Sequence, residues 1–309
     1  MNPKQHPLGS GFTAASTAAD VLEGIDLSGI NVVITGGHVG LGLQTTRTLS
    51  AAGASVTVGS RHRDRAARAL TGTARVEVGQ LDLLDPASID AFTARYLDSG
   101  RPLHILINNA GIMGGPLVRD TRGYESQFAT NHLGHFQPTL ELLPALRAAQ
   151  GARVVNVSSG GHRLSGIRWE DPHFTTGYDP MLAYGQSKTA NILFAVELDR
   201  RGAGEDIRGS VHSAMGLTDA SGRPIIDPDR DKKTPQQGAG TIVFTATSPL
   251  LAGIGGVYLR NNDISPLDDS AGPAVFDAAA IASANVVPHA IDPDAARRLW
   301  ELSERLLKG

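Results

Sequence analysis

The 309-residue chain contains no cysteine, which excludes disulfides, thiolate nucleophiles and cysteine-ligated zinc. That composition suits a cytoplasmic protein. No stretch approaches the ~20 consecutive apolar residues of a membrane-spanning helix. The opening segment, MNPKQHPLGSGFTAASTAADVLEG, lacks the uninterrupted apolar core of a signal peptide. The net charge of −3 gives no electrostatic reason to expect nucleic acid or an anionic membrane as a partner. The G-x-S-x-G elbow of serine hydrolases is also missing.

What is present is a foldable chain. Hydrophobic residues make up 41% and charged residues 19%, enough for a sizeable core. Residues 1–28 read as an N-terminal extension whose Gly/Pro-rich start, 1–12, is expected to be poorly ordered and whose 13–24 stretch could form a short helix. Residues 29–309 read as one domain. Within it, short apolar or β-branched runs (31–35, 54–60, 74–83, 103–109, 152–159, 253–260) alternate with helical spacing (41–53, 86–97, 123–149, 180–201, 233–247). Several of these runs are continuously apolar, as expected for strands covered on both faces. The pattern predicts an α/β fold, an open doubly wound parallel sheet with helices on both faces, and the strand at 253–260 is expected at its edge.

The first strand runs into TGGHVGLG (35–42), and a helix follows. Glycines in such a loop let a pyrophosphate approach bare backbone, while the helix N-terminus offers unpaired N–H groups. The phosphate-facing candidates are Gly36, His38, Val39, Gly40, Leu41 and Gly42. The second strand ends in Ser60 and Arg61, and no carboxylate follows until Asp64. A hydroxyl and a guanidinium suit a 2′-phosphate, so NADP(H) is favoured over NAD(H). An alternative is that Arg61, Arg63 and Arg65 form only a solvated basic loop.

Further along stand NNAG (108–111), NHLGHF (131–136), VVNVSS (154–159) and YGQSK (184–188). The i,i+4 spacing puts Tyr184 and Lys188 on one helix face. His132 and His135 have a metal-compatible spacing, but no acidic or third-histidine partner lies nearby in sequence, so they read as surface or core histidines. Taken together, and over roughly residues 28–260, the motifs resemble the short-chain dehydrogenase/reductase family, in its retinol-dehydrogenase-like branch, which includes many bacterial oxidoreductases. That family has a Rossmann-type fold.

The resemblance implies an alcohol dehydrogenase or carbonyl reductase acting on a small alcohol, ketone or aldehyde. Tyr184 would be its general acid/base, and Lys188 would bind the nicotinamide ribose and lower the tyrosine pKa. Ser159 would hydrogen-bond the substrate oxygen, and Asn131 would hold a water linking the lysine to solvent. Asn108, Ala110 and Gly111 would line the cofactor, and Asp82 and Leu83 would meet the adenine. A homo-oligomer, dimer or tetramer, is compatible with the family, as is a monomer. A non-catalytic NADP(H)-binding sensor or scaffold is the alternative function. Such a protein needs the phosphate loop but not a Ser–Tyr–Lys set.

The chain departs from the family after His212, where Ser213 and Ala214 replace Pro-Gly. Either Thr218 meets the nicotinamide, or part of the substrate lid is missing between Ala214 and Met215. The second alignment is preferred, which leaves region 212–234 as the substrate-loop region. A C-terminal helix is expected around ELSERLL (301–307).

Overall fold

The computed structural model describes residues 4–213, 233–269 and 285–308. The family's lid question and Thr218 fall outside them. Eight strands among the described residues form one sheet in the order β3-β2-β1-β4-β5-β6-β7-β8. The strands are β1 (Asn31–Thr35), β2 (Ser55–Ser60), β3 (Val76–Gln80), β4 (Ile105–Asn108), β5 (Ala152–Ser158), β6 (Ile207–Ser213), β7 (Tyr258–Arg260) and β8 (Asp263–Ile264). All pairings are parallel except β7 with β8. This is a Rossmann-type sheet, and its order reverses between β1 and β4, where such folds open a crevice at the strand C-termini.

The helices are α1 (Ala18–Val21), α2 (Gly40–Ala51), α3 (Arg63–Ala69), α4 (Pro86–Asp98), α5 (Ser126–Phe128), α6 (Gly134–Glu141), α7 (Leu143–Ala148), α8 (Pro180–Gly202), α9 (Pro235–Thr247) and α10 (Pro293–Lys308). The continuous apolar strands feed two cores by simple alternation. Val32 and Ile34 pack with Leu49 of α2 and Ile242 and Val243 of α9. Val33 points the other way, toward Phe92 of α4 and Phe136 of α6. A one-residue slip of β1 would therefore exchange the two cores, so register is strongly specified.

Most helices begin with their own caps. Asp85 accepts from Ala87 N–H ahead of α4, and Asp179 accepts from Met181 and Leu182 N–H ahead of α8. Thr234 and Gln237 form a reciprocal capping box at α9. Proline stands at the first position of all three. The N-cap of α2, Val39, has no side-chain hydrogen bond to offer, so that terminus is left open at the crevice.

Several elements differ from the sequence reading. The helix expected over 123–149 is broken into α5, a π-turn at Ala129–Leu133, α6 and α7, with Pro138 inside α6 and Pro144 in the first turn of α7. The basic loop GSRHRDR continues into α3, because arginine and alanine are good helix formers. The helix within 13–24 shrinks to one turn, Ala18–Val21, and α10 begins at Pro293, well ahead of residue 301. Strand β7 is short and not the edge, since the antiparallel β8 lies outside it. The N-terminal segment is also tied down. Gln5 exchanges hydrogen bonds with the backbone of Tyr258 (2.9 Å each way) and donates to Ser265 O (2.5 Å). The Asp263 carboxylate receives the N–H groups of Leu8, Gly9 and Ser10. These contacts cover polar backbone that a sheet edge otherwise exposes.

Candidate active site

A cleft of about 830 Å³ runs along the C-terminal ends of β1, β2, β4 and β5. Its walls include Gly36, His38, Val39, Gly40, Leu41, Gly42, Ser60, Arg61, Asp82, Leu83, Ala110, Gly111, Tyr184 and Lys188. The structure thus brings most of the sequence-selected residues to one surface.

At the glycine end, Gly36 has φ +67°, the left-handed region that favours glycine. A Cβ on Gly42 would lie 2.5 Å from Gly36 O and 2.6 Å from Asn109 Nδ2, so that position admits no side chain. The bare loop and the open start of α2 fit the pyrophosphate of a dinucleotide. His38 lines the same end, and its Nδ1 is buried without a hydrogen-bond partner. Burial lowers its pKa first, and the nearby Arg65 and His62 lower it further. Arg61 and His62 also border a basic surface cleft with Arg63, Arg65 and Arg68.

Asn108 is not on this wall. Its side chain is turned into the core, donating to Asn156 Oδ1 (2.8 Å) and Thr139 Oγ1 (3.1 Å). Its neighbour Asn109 lines the cleft instead and donates to Thr35 O (2.9 Å). The β4 strand ends between the two asparagines, and the strand's alternation decides which one faces inward.

At the other end, α8 carries Tyr184 and Lys188 beside the end of β5. Ser158 and Ser159 part company there. Ser158 Oγ is spent on Lys188 O (2.8 Å), whereas Ser159 Oγ accepts from Gly161 N–H (3.1 Å) and borders the same glycine as the Tyr184 ring. A Cβ on Gly161 would come within 2.8 Å of Tyr184 Cε1, so this glycine makes room for the phenol ring. Lys188 Nζ sits 5.5 Å from the centre of that ring and donates to Val157 O (3.1 Å). Burial pushes the Lys188 pKa down to about 8. Burial also raises the Tyr184 pKa, and the neighbouring Ser159 hydroxyl opposes it. Among the protein's own groups, then, the phenol is held protonated rather than pulled toward phenolate as the resemblance implies.

Asn131 lies in the π-turn, a geometry that recurs at functional sites. Its side chain clamps Ile112, accepting from its N–H (2.8 Å) and donating to its O (2.9 Å), and also donates to Ser187 Oγ (2.9 Å). A Cβ on Gly111 would lie 3.2 Å from Asn131 Oδ1 and 3.5 Å from Lys188 Nζ, which places all three together. His132 and His135 are both buried core histidines, one of the two placements the sequence allowed. His132 is packed among Phe128, Phe136 and Phe194 and bonds Ser303 of α10 (2.7 Å). His135 reaches Thr35 (2.8 Å).

Sequence reasoning missed Thr35, Asn109, Ser187 and the apolar mouth. Ile112 and Met113 line the cleft and are exposed; Leu117, Val118 and Leu182 are exposed as well. Gln127 laces the 113–118 loop to the start of α8, accepting from Gly114 N–H (2.8 Å) and donating to Pro180 O (2.9 Å). The T of TGG and the apolar IM after NNAG were the available signals.

A glycine loop at a sheet crossover, with a polar cluster around a buried lysine, defines a dinucleotide-binding oxidoreductase of the Rossmann type. The short chain dehydrogenase family model matches residues 31–220. A probable oxidoreductase of Streptomyces lividans is 41% identical over 303 residues, covering 90% of this chain and 97% of its own. Mouse retinol dehydrogenase 12 is 42% identical over 202 residues, covering 63% of this chain and 64% of its own. A crystal structure of a putative uncharacterized protein from Mycobacterium paratuberculosis superimposes with a TM-score of 0.73 at 34% identity, covering 95% of this chain and 98% of its own. The chain belongs to the short-chain dehydrogenase/reductase family, an oxidoreductase family that binds a nicotinamide cofactor and acts on small molecules. Among the described residues, no helix is long and apolar enough to cross a membrane.

Proposed function

We propose that the protein is an NADP(H)-dependent alcohol dehydrogenase or carbonyl reductase whose substrate presents an apolar flank beside the reacting carbon. The observation that carries this reading is the grouping of Ser159 and Tyr184 around Gly161 with buried Lys188 behind the ring, at the end of a dinucleotide cleft. Gly36, Gly40 and Gly42 would hold the pyrophosphate, Asp82 and Leu83 the adenine, and Ser60 with Arg61 the 2′-phosphate. When bound, the nicotinamide supplies or accepts the hydride.

The protein's own residues do the rest. Tyr184 gives its proton to the carbonyl oxygen in reduction and takes it back in oxidation. The protonated phenol favoured by burial is the form required for reduction. Ser159 donates to the same oxygen as negative charge grows there. The Lys188 ammonium stabilises the phenolate left behind, and Asn131 holds the proton path to solvent beside it. Ile112 and Met113 supply an apolar border that an unsubstituted polar substrate would leave unused.

A test is to incubate the protein with NADPH and a series of aldehydes and ketones graded in apolar chain length, and the corresponding alcohols with NADP. Turnover that improves with chain length is expected. Tight NADPH binding with no turnover of any carbonyl or alcohol would favour a sensor and overturn the enzymatic assignment.

A further inference from the structure

His135 is 1% exposed and sits in the first turn of α6, outside the cleft. Its Nδ1 lies 3.0 Å from Asn131 O and its Nε2 lies 2.8 Å from Thr35 Oγ1. Thr35 Oγ1 also receives the N–H groups of Asn109 (3.0 Å) and Ala110 (2.9 Å). A hydroxyl has two lone pairs and one proton. With both lone pairs taken by N–H donors, the Thr35 proton must go to His135 Nε2. Nε2 is then the acceptor, and Nδ1 carries the hydrogen that is donated to the Asn131 carbonyl. A single neutral tautomer satisfies every group. Burial, with Lys188 nearby, lowers the His135 pKa to about 4, so this form persists at ordinary pH.

The consequence lies in the segment 109–112, which forms one wall of the cleft. Thr35 pins it at Asn109 and Ala110, and Asn131 pins it at both polar groups of Ile112. His135 joins the two pins. Between them, Gly111 passes close to Lys188 Nζ.

We propose that His135 is a positioning residue: by bonding Thr35 and the Asn131 carbonyl at once, it holds the 109–112 wall in register with Lys188, so that one geometry serves cofactor binding and proton transfer. This rests on the reading of the cleft as a nicotinamide site. Replacing the ring by an apolar group leaves the Thr35 hydroxyl and the Asn131 carbonyl without a common partner, and the wall is then fixed at its two ends independently.

The test measures NADPH affinity by fluorescence titration, and kcat and KM separately, for wild type, His135→Leu, His135→Gln, Thr35→Val and the double variant Thr35→Val/His135→Leu. For His135→Leu the expectation is a loss of about tenfold or more in NADPH affinity together with a fall in kcat. Glutamine can accept from Thr35 and donate to the Asn131 carbonyl, so His135→Gln should stay within about threefold of wild type. Adding His135→Leu to Thr35→Val should cost less than about twofold more, because both changes break the same link. Additive losses overturn the proposal, as does a folded His135→Leu with wild-type affinity and kcat. If His135→Leu does not fold, His135→Gln alone decides, and a loss of tenfold or more in that folded variant overturns it. A wild type that binds neither NADPH nor NADH would instead remove the functional reading itself.

Discussion

Replacing Lys188 by methionine should change how stability depends on pH, and the size follows from the burial of one ammonium. In the folded chain the Lys188 pKa is lowered to about 8, against 10.5 for a free lysine. The fold therefore binds fewer protons than the unfolded chain between these values, and stability must rise with pH across that window. The penalty for burying the charge is fully present below pH 8 and is relieved as the pH approaches 10.5. At 1.36 kcal/mol per unit, the total is about 3 kcal/mol, of which roughly 2 kcal/mol is recovered between about pH 7.5 and pH 9.5. Methionine fills a similar volume and carries no charge, so Lys188→Met removes this component. Other groups titrate in the same range, tyrosines in the opposite direction, and their contribution cancels in the difference between the two proteins. Urea unfolding at both pH values, for both proteins, gives that difference. The gap between variant and wild type should narrow by roughly 2 kcal/mol at the higher pH. Parallel pH profiles would refute the claim that Lys188 is held buried and poised to lose its proton near pH 8.

Arg61→Ala should weaken NADPH by about tenfold or more and leave NADH within about twofold, read by fluorescence titration; equal losses would make Arg61 purely structural. Gly161→Ala forces a methyl against the Tyr184 ring and should lower kcat by roughly tenfold or more with little change in cofactor affinity. Gln5→Ala removes the three hydrogen bonds that fasten the N-terminal segment to Tyr258 and Ser265 and should cost about 1–3 kcal/mol in urea unfolding, with kcat unchanged.

The parts of the site that sequence made legible are those where local pattern and function coincide. A strand followed by TGGHVGLG can be placed without tertiary information, since the loop, the bare backbone and the helix start are contiguous. YGQSK fixes Tyr184 and Lys188 on one helix face by spacing alone. What stayed hidden depends on contacts between distant segments. Asn108 and Asn109 are chemically identical, and only the exact end of β4 decides which one faces the cleft. The π-turn at Ala129–Leu133 has no composition signal of its own, because its widening is held by Asn131 gripping Ile112 and Ser187 from elsewhere in the chain. His135 read as no more than a surface or core histidine because its partner, Thr35, lies one hundred residues away. The N-terminal segment looked unstructured because its partners lie across most of the chain's length: Gln5 meets Tyr258 and Ser265, and Leu8, Gly9 and Ser10 meet Asp263. The basic stretch after Ser60 concealed α3, since charge suggested a loop while helix propensity decided the conformation.

In the proposed mechanism Tyr184 moves the proton while the rest of the site holds its partners. Its most direct test is Tyr184→Phe, with NADPH affinity and single-turnover reduction measured on the same preparation. NADPH binding is expected within about twofold of wild type and turnover lowered by roughly 10²–10⁴-fold. Turnover close to wild type in a variant that binds NADPH normally would contradict it.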